Sequence, residues 1–241
     1  MSLIEHLEEL RHRIVICAIA IGLGAIAGFF LFGPLLNLLR DPYCDAIRRL
    51  PEANQPPTGC RFIVLGLVDQ VTLKLKVAGF IGLLLALPVV LFQLWAFVVP
   101  GLRQRERRMA IPFVLSSVIL FALGAGLAYW TLPKALGFLI GFAGEGFVPQ
   151  VTGDRFLGFM MLVTLAFGLS FEFPIVVVFL NVAGVVSTAQ LRGWRRWAVL
   201  FIFVFAAVIT PSGDPYTLLA MAIPMVLFYE GSIIVGRLLR R

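Results

Sequence analysis

The stretch Phe156-Leu-Gly-Phe-Met-Met-Leu-Val-Thr-Leu-Ala-Phe-Gly-Leu-Ser-Phe-Glu-Phe-Pro-Ile-Val-Val-Val-Phe-Leu-Asn-Val-Ala-Gly-Val-Val186 holds a single ionisable side chain, Glu172. A bilayer core about 30 Å thick is crossed by roughly 20 apolar residues rising about 1.5 Å each, so the run reads as a membrane span with an acid near its middle. Outward from it, Ile14–Phe32, Val77–Val99 and Ile111–Leu132 have the same character. Two later runs differ. Trp197–Ile209 reaches only about 20 Å at that rise, and Leu218–Val235 is interrupted by Pro224 and Glu230. The expected fold is an all-α integral membrane protein of six transmembrane helices, the last two short, at about 14–32, 77–99, 111–132, 156–186, 197–209 and 218–235. Prolines within spans (Pro88, Pro112, Pro174, Pro224) and near their ends (Pro34, Pro100, Pro133, Pro211) predict a bent bundle. The composition agrees: 60% of residues are hydrophobic and 14% charged, against about a quarter charged in soluble domains. No repeat, low-complexity segment or linker appears, so residues 1–241 are expected to form one membrane domain.

Six crossings place both termini on one side, and the distribution of basic residues says which. Arg11, Arg13, Arg103, Arg105, Arg107, Arg108, Arg192, Arg195, Arg196, Arg237, Arg240 and Arg241 fall on one face, which is expected to be cytoplasmic. The opposite segments carry Arg40, Arg48, Arg49, Arg61, Lys134 and Arg155, offset by Asp41, Asp45, Glu52, Glu145 and Asp154. The net charge of +7 is thus a topology and lipid-headgroup signal; no soluble basic face is available for nucleic acid. The N-terminal segment is acidic where a cleavable signal would be basic, so the first span is expected to be retained. Cys17 lies within that span. Cys44 and Cys60 share the long outer loop, about 34–70, where an oxidising compartment would permit a disulfide that staples a proline-rich segment.

Enzyme chemistry is not expected. His6 and His12 are the only histidines, and no nucleophile motif, zinc motif or phosphate-cradling glycine loop occurs, which leaves no candidate metal site and no cofactor. Leu3, Leu7, Leu10 and Ile14 make one stripe of an amphipathic N-terminal helix expected at the membrane interface, with Glu5, Glu8, Glu9 and His12 largely off it. Those acids suit two readings: i,i+4 pairs, Glu8 with His12 and Glu9 with Arg13, or a site for a cationic ligand held against an anionic leaflet. Glu106 stands alone among four arginines of the first inner loop and reads either as a screen for them or as a second carboxylate for guanidinium recognition. Glu172 is the most informative residue. A carboxylate at mid-span costs about 2.5–3.5 kcal/mol on insertion scales, so it must be protonated, hydrated or paired, and Pro174 beside it frees a carbonyl near Ser170. Asp214, in Thr210-Pro-Ser-Gly-Asp-Pro215, reads as a turn former or a helix cap.

Several of these segments converge. His6-Leu-Glu-Glu-Leu-Arg-His-Arg13, Phe92-Gln-Leu-Trp-Ala-Phe-Val-Val-Pro-Gly-Leu102, Glu106-Arg-Arg108, Phe167-Gly-Leu-Ser-Phe-Glu-Phe-Pro174 and Ile209-Thr-Pro211 together resemble the TatC family, receptor subunits of the twin-arginine protein translocase. The resemblance runs from about Leu3 to Arg237. It implies a concave six-helix protein of the bacterial cytoplasmic membrane that recognises twin-arginine signal peptides. With TatA and TatB type single-span partners, in an oligomeric complex, it would export folded proteins on the proton-motive force. By the same resemblance Glu9 and Glu106 would bind the paired arginines, supported by Arg11 and Phe97, and Glu172 would face a water-accessible pocket. Thr210, with Asp214 nearby, would belong to the partner-docking region. Two departures, Ser212-Gly-Asp214 and Leu218, bear on docking. The rival from another class is a proton-coupled secondary transporter using Glu172, against which only the second half of the chain has broken spans; a purely structural scaffold is the third.

Overall fold

The computed structural model describes residues 3–49, 55–56, 59–64, 66–98, 110–142, 151–210 and 213–239. In chain order the helices are α1 (Leu3–Phe30), α2 (Phe32–Arg48), α3 (Leu67–Val98), α4 (Ala110–Phe142), α5 (Gly153–Ser170), α6 (Phe173–Val182), α7 (Thr188–Gly193), α8 (Arg195–Ile209) and α9 (Pro215–Leu239). The described residues contain no β-strand, only one isolated bridge between Ile63 and Thr152. Among the described residues five helical stretches are long and apolar enough to cross a membrane: Glu5–Phe30, Val68–Phe97, Ile111–Phe142, Gly153–Val182 and Pro215–Leu238. With 15 residues, α8 is shorter.

The chain divides into two units, Met1–Leu38 with Val64–Ile119, and Leu39–Ile63 with Leu120–Arg241. In the first, α1 lies against α3 at backbone distance. A Cβ on Gly82 would meet the Ala25 nitrogen at 2.5 Å, and one on Gly24 would meet the Gly82 oxygen at 2.7 Å, so only glycine lets the helices approach this closely. Away from α3, Ile14, Ile19, Leu23, Ile26 and Phe30 are exposed, an apolar face suited to lipid. In the second unit the core joins Val163 and Phe167 of α5, Val177 of α6, Ile202 and Ala206 of α8, and Met221, Met225 and Ile233 of α9. α4 approaches α5 at Gly124, where a Cβ would stand 2.6 Å from the Phe167 carbonyl oxygen.

The amphipathic N-terminal segment, with no breaker before Ile14, runs into the first span as one 28-residue helix. Three expectations are corrected. The outer loop expected at 34–70 contains α2, 17 residues long, which buries Leu39, Pro42, Tyr43, Cys44, Ala46 and Ile47. Its apolar positions recur on one face despite Pro42, so the segment has a good deal to bury. The last span is not short: α9 has 25 residues and passes through Pro224, because one missing N–H removes a single hydrogen bond that the surrounding turns survive. For the same reason α4 continues past Pro133 to Phe142. The fourth span, read as far as Val186, is two helices and ends at Val182; Gly184, at φ 80°, makes the turn that leaves it.

Candidate functional site

One end of the α1–α3 pair carries a cluster of polar and aromatic side chains. Glu9 and Arg13 are four residues apart on α1 and form the ion pair that this spacing favours, with Arg13 Nε 3.1 Å and Nη2 2.5 Å from Glu9 Oε1. Arg13 Nη1 also donates to Gln93 Oε1 on α3 at 2.9 Å, which locks the pair across two helices. One turn before Glu9, the His6 ring stacks on Phe97, centroids 4.4 Å apart and planes 18° from parallel. Gln93 and Phe97 lie one turn apart on α3, so the two contacts share a face. Glu9 and Arg13 are 25% and 19% exposed, which leaves the carboxylate within reach of a ligand while lowering the local dielectric around it. Beneath this end, buried Trp95 donates its indole N–H to Ser117 Oγ at 2.8 Å and fixes α3 to the start of α4. Arg11 is exposed. Glu106 lies outside the described residues, as do the four arginines around it.

In the second unit Glu172 sits at the junction of α5 and α6, half-buried. Pro174 has no N–H to give the Ser170 carbonyl, and the chain bridges the gap with shorter turns: Glu172 N–H donates to the Leu169 oxygen at 3.1 Å and Ile175 N–H to the Glu172 oxygen at 3.0 Å. α9 braces the junction. Ser232 donates to the Pro174 carbonyl at 3.2 Å, and Phe228 meets Phe171 edge to face at 5.2 Å. Asp214 proves to be a helix cap: it precedes Pro215 at the first position of α9 and accepts the Thr217 N–H at 2.8 Å and the Thr217 hydroxyl. Both Asp214 and Thr210, which ends α8, are buried.

Sequence reasoning missed His6, Gln93, Asn181 and the partner of Glu230. Gln93 could have been found as an amide within an apolar span, one turn from Phe97. Asn181, fully buried, donates to the Val186 carbonyl at 2.9 Å and to Thr188 Oγ1 at 3.3 Å, closing the α6–α7 turn. Glu230 is tolerated in α9 because Arg195 of α8 reaches it at 2.6 Å. Cys44 and Cys60 are free thiols, and burial, with Cys60 nearby, pushes the Cys44 thiol up to about 11.

Long lipid-compatible helices, with ionisable groups gathered at one helix end and at the α5–α6 junction, define a polytopic membrane protein. The particular kind is set by comparison with known proteins. Residues 5–224 match the family model described as Sec-independent protein translocase protein (TatC). The Sec-independent protein translocase protein TatC of Frankia casuarinae is 44% identical over 98% of this chain and 65% of its own length. That of Aquifex aeolicus is 36% identical over all of this chain and 97% of its own. A crystal structure of the twin arginine translocase receptor TatC superposes with a TM-score of 0.75 at 35% identity, covering 98% of this chain and all of the other. The chain belongs to the TatC family. The chain spans just under two thirds of the Frankia relative's length. Nothing in the comparisons favours the secondary-transporter reading of Glu172.

Proposed function

We propose that this protein is the twin-arginine signal-peptide receptor and core subunit of a translocase that exports folded proteins across a bacterial cytoplasmic membrane. Energy would come from the proton-motive force, and TatA and TatB type subunits would assemble with it in an oligomeric complex. The observation that carries the reading is the Glu9 carboxylate, poised at a helix end and already holding a guanidinium, that of Arg13, at 2.5 Å. A site that binds one arginine has the geometry to bind another. With Glu106 as second carboxylate, two peptide arginines are held by charge-assisted hydrogen bonds of about 1.5–3 kcal/mol each. His6 and Phe97 supply a flat apolar wall for the peptide backbone or a guanidinium face. Arg11 guides and balances charge nearby. Lysine is a poor substitute for either peptide arginine, because its ammonium lacks the planar fork.

The topology that goes with this function has six crossings, α8 the fifth of them and α9 the last, with both termini and the Glu9 end on the cytoplasmic, arginine-rich side. At 15 residues α8 spans about 22 Å, so the bilayer thins beside it. The Glu172 junction adjusts helix contacts and hydration as the apolar part of the peptide enters. Thr210 and the Asp214 cap shape the outer end of α8 and α9, where the single-span partners dock. The test is photo-crosslinking of a twin-arginine peptide to wild type, Glu9→Ala and Glu106→Ala in membranes. Loss of crosslinking in both variants is expected, and undiminished crosslinking in both sinks the receptor role of these residues.

A further inference from the structure

We infer that Cys44 and Cys60 are an oxidation site, joined in the mature protein by an intramolecular disulfide that fastens the end of α2 to the segment leading into α3. Contacts between their neighbours bring the cysteines together. Cys60 lies close enough to raise the Cys44 thiol, and Cys44 is buried while Cys60 is partly exposed. Their neighbours also touch: Tyr43, next to Cys44, has its ring 5.2 Å from that of Phe62, two residues beyond Cys60, and both pack on Phe156 of α5 at 5.3 and 5.4 Å. Just before Cys60, Gly59 takes φ 56° and donates its N–H to the Pro56 oxygen at 2.8 Å. Just beyond, Ile63 bridges to Thr152 at the start of α5. A bond between the cysteines would therefore tie α2, the 60–63 segment and α5 into one clasp, adding to the aromatic cluster and the bridge that join them.

Exposure decides the order of the chemistry. The accessible Cys60 thiolate attacks the disulfide of an extracytoplasmic thiol oxidant, releasing one oxidant thiol and leaving a mixed disulfide at Cys60. The Cys44 thiolate then displaces the second oxidant thiol. Two thiols lose two protons and two electrons, and the oxidant's disulfide gains both, ending as two thiols. The inference rests on the outer placement of this loop, part of the topology proposed above.

The experiment is to trap thiols with acid in cells that keep an oxidising extracytoplasmic compartment, then denature and count thiols by maleimide-polyethylene glycol gel shift, with and without reductant. One adduct, on Cys17, is expected before reduction, and three after it. Three adducts before reduction, or one adduct accompanied by a reducible dimer, overturns the inference. Cys44→Ser, which leaves Cys60 unpaired, is labelled in intact cells with a membrane-impermeant maleimide. Labelling of Cys60 confirms the outer side. Failure to label it, with three free thiols in wild type, refutes the topology, whereas labelling together with three free thiols in wild type refutes the disulfide alone.

Discussion

Glu9 and Glu230 each pair with an arginine, at 2.5 and 2.6 Å, yet their surroundings differ. Glu9 belongs to a group of polar and aromatic side chains drawn from α1 and α3 and gathered at one end of the first unit: Arg13, Gln93, His6 and Phe97. Glu230 belongs to a unit in which polar groups are dispersed and each one closes a local gap. Arg195 joins Glu230 across α8 and α9, Ser232 takes up the Pro174 carbonyl, Asn181 closes the α6–α7 turn, and Asp214 caps α9. In the second unit removing a polar group opens a structural defect. In the first, the same substitution is proposed to remove a ligand contact while leaving the apolar helix contact in place. Polar residues in a membrane protein thus divide by neighbourhood more than by type.

The sharpest way to break this contrast is Glu9→Ala. Loss of two charge-assisted hydrogen bonds, together about 3 kcal/mol, predicts roughly 100-fold weaker binding of a twin-arginine peptide. Thermal stability in detergent should fall little, since a partly exposed i,i+4 pair contributes only a few tenths of a kcal/mol. Titration of a fluorescent peptide alongside a melting curve measures both, and a large stability loss with unchanged binding would assign Glu9 to structure. Gly82→Leu acts in the reverse sense. Its Cβ would stand 2.5 Å from the Ala25 nitrogen, which forces α1 off α3 at a cost of about 1–3 kcal/mol or more. It should lower stability and weaken binding together, because Gln93 and Phe97 reach the site only while the helices stay packed. In the second unit Asp214→Ala removes the α9 cap, worth about 1 kcal/mol. The expected result is a lower melting temperature with peptide affinity unchanged within twofold.

Much of the fold was legible because lipid imposes a simple rule: long apolar runs must be helices, and the run at 111–132 lies within α4 while that at 77–99 follows α3 as far as Val98. Glu9 and Arg13 were legible from their i,i+4 spacing. What escaped was whatever depends on a partner distant in sequence. Gln93 is unremarkable until Arg13, 80 residues earlier, reaches it, and Phe97 gains its stacked neighbour only when α1 lies on α3. α2 was hidden by its prolines and charges, which look like a loop until Tyr43 meets Phe62 and Phe156. Pro174 and Pro224 show the limit of local rules. Both sit inside helical sequence, and helix assignment is interrupted only at the first, where α9 supplies Ser232 to the carbonyl of the displaced turn.

The smallest expected effect is also the most discriminating. Arg13 occupies the carboxylate that the peptide's arginine is proposed to take, so an incoming guanidinium must displace it from Glu9 or share Glu9 with it. A carboxylate has two oxygens, and both Arg13 contacts fall on Oε1, which leaves the second oxygen to a ligand. Removing Arg13 has two consequences of opposite sign. Glu9 loses a competitor worth about 0.3–0.5 kcal/mol at this exposure, and it also loses the brace to Gln93 that fixes its rotamer. If displacement governs binding, Arg13→Gln binds a twin-arginine peptide about twofold more tightly, and the gain shrinks as salt screens the original pair. If bracing governs, binding weakens, and Gln93→Ala in otherwise native protein reproduces the loss because it cuts the same brace while leaving Arg13 on Glu9. The two variants measured side by side decide whether the first unit's polar cluster is a preformed socket or one that its own arginine keeps filled.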